Sequence, residues 1–110
     1  MSYEKLLRDT ATYWAPLSND GTGDMTFSPP VRTRVRWEDH NERFDDNDGK
    51  SFVSAAIVYT TIEIEQDGWL YLGSSTAADP QLIEDAFRVR RISSTHTPNR
   101  SITVRKAVLG

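Results

Sequence analysis

The residues able to do chemistry in this chain are few, and their spacing rules out most reactions. Asp45, Asp46, Asn47, Asp48 and Gly49 form an oxygen-rich run that suggests calcium. A calcium-binding helix–loop–helix register with its glycine at Gly49 needs acidic ligands at 44 and 55, which are Phe44 and Ala55. The run therefore reads as a solvated acidic segment and no metal is expected. Ser, His and Asp all occur, but no G-x-S-x-G turn is present to expose a nucleophile. His40 lies among acids and His96 among hydroxyls, and both read as surface histidines. No glycine-rich phosphate loop of either common spacing exists. Cys is absent, which excludes disulfides, thiolate metal sites and a cysteine nucleophile. No catalytic residue and no cofactor is expected.

Charge carries more information. Residues 31–37 hold three arginines, Arg32, Arg34 and Arg36, and no acid. Residues 86–110 hold Arg88, Arg90, Arg91, Arg100, Arg105 and Lys106, again without an acid. Between these blocks, residues 38–50 carry Glu38, Asp39, Glu42, Asp45, Asp46 and Asp48 against two bases, and 51–85 carry six acids and no base. Ordinary pairing of arginines with acids on adjacent strands is one explanation. The other is a subunit with one basic and one acidic flank, able to pack head to tail. The overall net charge of −3 gives no field that would hold nucleic acid over the whole surface.

The elements that must carry these charges are strands. Val31, Thr33, Val35 and Trp37 alternate with Arg32, Arg34, Arg36 and Glu38, the period of a strand with one face in the core. Further strands are expected at 10–15, 52–59, 61–65, 69–72, 87–92 and 102–107. Asn-Asp-Gly or Gln-Asp-Gly turns at 19–21, 47–49 and 66–68 punctuate them. Short helices are expected at 3–8 and at 79–86, the latter opened by Asp79 as cap and Pro80 in its first turn. The 110 residues thus predict a single mainly β domain. It is a small antiparallel barrel or sandwich of about six or seven strands with one or two short helices. The polar stretches 16–30 and 38–50 are expected as extended loops. Val31, Val35, Trp37, Ile57, Trp69 and Phe87 are expected in the core. The longest apolar run, Ala55–Tyr59, is far too short to span a membrane as a helix, and no targeting signal is read.

The run Arg32-Thr33-Arg34-Val35-Arg36-Trp37-Glu38, the turn Asp46-Asn47-Asp48-Gly49-Lys50 and the strand Ser51-Phe52-Val53-Ser54-Ala55-Ala56-Ile57-Val58-Tyr59 together resemble the head-closure, or stopper, proteins of long-tailed bacteriophages. Asp67-Gly68-Trp69-Leu70-Tyr71-Leu72-Gly73 sits where that family often has a further strand, with Asp and Gly in the opposite order. The likeness covers roughly residues 31–75. It implies a small barrel assembled as a homo-oligomeric ring in the virion neck. The portal or adaptor ring would lie on one side, tail proteins on the other, and packaged duplex DNA in the channel. On that reading the acids of 38–50 line a channel loop, while Arg32, Arg34, Arg36, Arg88 and Arg90 make ring contacts. A tail terminator, a tail-tube subunit, a nucleic-acid-binding barrel with those arginines on one groove, and a small enzyme remain as alternatives.

Overall fold

The computed structural model describes residues 7–17, 26–46, 48–96 and 103–110. It is mainly β and contains a closed six-strand antiparallel barrel. The barrel strands are β1 (Asp9–Trp14), β2 (Val31–Asp39), β5 (Ala56–Thr60), β6 (Trp69–Leu72), β7 (Ala86–His96) and β8 (Thr103–Leu109). Around the wall their order is β1-β2-β5-β8-β7-β6, and β6 returns to β1. Two short strands, β3 (Arg43–Asp45) and β4 (Ser51–Val53), pair with each other as a separate hairpin arm.

Alternation sorts the side chains into an inside and an outside. Ala11, Tyr13, Val35, Ala56, Val58, Leu70, Val89, Ala107 and Leu109 form one buried cluster within the barrel. Ile64 joins them from the segment between β5 and β6. That segment, 61–65, alternates in sequence but forms no strand. The Glu65 N–H donates to the Tyr13 hydroxyl at 2.8 Å rather than to a sheet neighbour, and Ile64 caps the interior. The chain then turns through Asp67, at φ 74°, and Gly68. A Cβ on Gly68 would lie 2.7 Å from the Tyr13 ring, so glycine is needed for close approach rather than for its dihedral freedom.

Two pieces of chain cover parts of the outer wall. The outward residues of β1, Thr12 and Trp14, are fully buried beneath residues 73–80. Trp14 Nε1 donates to the Ala77 carbonyl at 2.8 Å, and Thr12 Oγ1 donates to the Gly73 carbonyl at 2.8 Å while accepting from the Ser75 N–H. On the other side the arm lies over β5 and β8. Phe52 packs with Ile57 and Val108, flanked by Phe44 and Tyr59.

Several expectations change. The strand expected at 52–59 is two strands, divided at Ser54-Ala55, because its first part belongs to the arm. The segment 38–50 is not an extended loop. β2 continues to Asp39, and Phe44 pairs across the arm with Phe52, an aromatic pair that three-residue strands are too short to announce by period. The helix at 79–86 reduces to a 3-10 turn, Pro80–Leu82. Its cap is as expected, with Asp79 Oδ1 accepting from the Gln81 N–H at 2.9 Å, but Ile83 is already extended. The imperfect phase around residue 90 is a bulge, with Val89 opposite Leu109 and Arg91 opposite Val108. The turn 19–21, Asn47, the turn 98–100, residues 18–25 of the first loop and most of the helix at 3–8 lie outside the described residues.

Of the expected core, Val35 and Ile57 are buried, the latter under the arm. Trp37 and Phe87 are half-buried against the core, and Trp69 is half-buried on the outer face. Val31 shares the inward phase but stands at the barrel end, 54% exposed. The largest fully buried side chain is Trp14, which the strand period alone would have turned outward. Trp14→Ala is therefore expected to cost about 3–5 kcal/mol and Trp37→Ala clearly less, read from urea unfolding midpoints.

Candidate interaction surfaces

The acidic segment and the β7 arginines meet within the chain. Asp46 opens the turn of the arm. Its Oδ1 accepts from the N–H groups of Asp48 and Lys50, at 2.9 and 2.8 Å, while Gly49 takes φ 83° and donates to the Asp46 carbonyl. Its other oxygen lies 3.6 Å from Arg90 Nη2. The Lys50 amide above all, then the Asp48 amide and Arg90, hold the Asp46 carboxyl below the usual carboxylate range, against the opposing effect of burial. Arg90 also stacks its guanidinium over the Phe52 ring, 4.9 Å from its centroid. Arg88 Nε donates to Asp67 Oδ1 at 2.9 Å. The β7 arginines Arg88 and Arg90 thus both hold acids of their own chain.

The root of the arm is fixed by a polar pair. The Ser54 Oγ accepts from the Glu42 N–H at 3.0 Å and lies 2.9 Å from His40 Nδ1, while Glu42 reaches His40 Nε2 at 3.8 Å. Serine, histidine and glutamate are together, but Ser54 is buried and its oxygen is engaged twice. The arrangement positions β3 against β4 and offers no open nucleophile. Phe44 stacks on Phe52 at 6.1 Å and contacts His40 at 5.5 Å. Asp45 Oδ1 accepts from the Ser51 hydroxyl at 3.0 Å. Of the six acids expected in a channel loop, Asp39 and Asp48 are exposed with carboxylates that no described residue engages. Among the described residues no three His, Cys, Asp or Glu side chains converge as metal ligands.

The β2 arginines stand apart. Arg32, Arg34 and Arg36 project from the outer face in file, and Glu38 closes the row with a 2.9 Å bridge to Arg36. Arg32 and Arg34 are exposed and have no ion pair among the described residues. A shallow recess of about 340 Å³, open to solvent, is lined by Thr10, Arg32, Thr33 and Arg34. β2 and β7 lie three positions apart on the six-strand wall, on opposite sides of the barrel. The two arginine sets therefore do not share one groove, and no sequence signal short of the pairing order could have separated them.

No protein-family model and no curated protein matches this sequence.

The depressed Asp46 pKa fixes a pH response. Its contribution to the arm is fully present above the ordinary carboxylate pKa of the unfolded chain and is lost as pH falls through the lower folded value. Amide exchange at Lys50 and Asp48 should accelerate across that acid window, relative to the intrinsic rate. Asp46→Asn should remove most of the pH dependence.

Proposed function

We propose that the protein is a head-closure ring subunit of a long-tailed bacteriophage, joining portal or adaptor to tail and retaining packaged DNA. What supports the reading is that the segments carrying the resemblance, 32–38 and 46–59, supply β2 and β5 of the barrel wall together with the turn and second strand of an acidic arm that packs over β5 and β8. A stopper needs a constriction more than a catalyst. A ring multiplies one arm per subunit, and carboxylates facing a channel repel phosphates rather than bind them, which suits fast release. Asp39 and Asp48 are the acids free to do this. The phage neck in the virion is the corresponding location, with portal or adaptor and tail proteins as neighbours. The alternative of a single-strand groove loses support from the separation of the two arginine sets on opposite walls.

The test is made on particles. Heads assembled without the chain are expected to package DNA, lose it and fail to join tails, and adding the purified protein back restores both. Heads that retain full-length DNA and carry tails in its absence would overturn the reading. Asp39→Lys with Asp48→Lys should leave closure intact and slow DNA release in an ejection assay.

A further inference from the structure

The β2 recess has a counterpart elsewhere on the same molecule. Leu82, at the end of the 3-10 turn, is 84% exposed, the most exposed of the large apolar side chains described. It is followed by Glu84 and Asp85, both exposed and without an ion pair among the described residues. An apolar knob beside two free carboxylates is the complement of a recess flanked by two free guanidiniums. Arginine stems supply aliphatic walls to such a recess.

The positions also suit repetition. The 3-10 turn packs against β6 and β7, two and three places from β2 around a six-strand wall. The recess also takes in Thr10 of β1, one place from β6, so knob and recess lie roughly 60–180° apart about the barrel axis and face different directions on one chain. Two different faces make a heterologous contact, which closes into a ring when the rotation allows.

We propose that Leu82, Glu84 and Asp85 of one copy dock into the recess of Thr10, Arg32, Thr33 and Arg34 on the next copy, as the head-to-tail subunit contact. The choice of a second copy rests on the ring reading above together with this complementarity. Arg32 and Arg34 then pair with Glu84 and Asp85, and Leu82 is removed from water between them. Of the arginines expected at ring contacts, Arg88 and Arg90 remain with Asp67 and Asp46 and support their own fold instead.

The chain's lack of cysteine makes the test direct. One preparation carries Thr10→Cys and a second carries Leu82→Cys. Mild oxidation of the mixture should give a disulfide-linked dimer joining the two variants, with little dimer from either alone. Adding Arg32→Glu and Arg34→Glu to the first preparation should abolish the mixed dimer. Adding Glu84→Arg and Asp85→Arg to the second should then restore it, which also shows that the reversed chains are folded. Absence of the mixed dimer from the parent pair, or a dimer indifferent to charge reversal, overturns the contact. Duplex DNA binding that depends on Arg32 and Arg34, with no mixed dimer, overturns it too and gives the recess to phosphate. Cross-linking decides this contact without any particle, whereas the head-complementation assay decides the closure role, so the two can fail separately.

Discussion

β1 is the strand on which the rest of the structure depends, because it is used on both faces and both edges. It bonds β2 along one edge and β6 along the other, and that second pairing turns a sheet into a barrel. Inward, Ala11 and Tyr13 enter the core, and outward, Thr12 and Trp14 hold the 73–80 segment. A sheet edge left open presents a row of unpaired N–H and C=O groups to other chains. Closure at β1 removes two such edges at once. It also sets the barrel floor, since the Tyr13 hydroxyl anchors Glu65 and its ring rests against Gly68. Burial raises the Tyr13 pKa above its ordinary value, against the lowering effect of the Glu65 hydrogen bond.

The wall so formed is dressed unevenly. One side carries the 73–80 segment and its 3-10 turn, another carries the arm, and the outer face of β2 carries neither. Among the described residues, this uncovered strand has three arginines on its outward face. A strand whose outer face stays in water must be polar there, and three alternating arginines meet that need. Their charge then becomes a property of the bare wall and not of the whole molecule, whose net charge is negative.

The fold was legible in the sequence wherever a strand keeps one face wet. β2 alternates plainly and begins at its expected limit, whereas the last three residues of β8 are buried on both faces, Ala107 and Leu109 in the barrel and Val108 under the arm. β1 was legible as a strand but not in its burial, because Trp14 and Thr12 owe their cover to a segment some sixty residues away. The arm was not legible, since two three-residue strands have no measurable period and their polar flanks resemble loop. Segment 61–65 misled in the opposite direction, having the period of a strand without a neighbour to bond. The candidate surfaces follow the same division. The arginine ladder of β2 could be read from spacing, and the exposure of Leu82 beside Glu84 and Asp85 could not, because a helix was expected at 79–86 where the structure has only a 3-10 turn. The pairing of Arg88 and Arg90 with acids of their own chain depends on partners 21 and 44 residues away, Asp67 and Asp46, and only the folded register reveals it.

The uneven dressing of the wall distributes the three indoles among three unlike settings. Trp14 is dry and hydrogen-bonded, Trp37 is half-buried against the barrel core, and Trp69 lies in a cleft with Asp67, Gln81 and Arg88 beside the 3-10 turn. Their emission is accordingly a composite. A blue component is expected from Trp14 beneath the lid over β1, and a redder, iodide-accessible component from Trp69 in its open cleft. Loss of the lid and covering of the outer turn would move the spectrum in opposite directions, so the protein carries its own optical means of telling loosening from association.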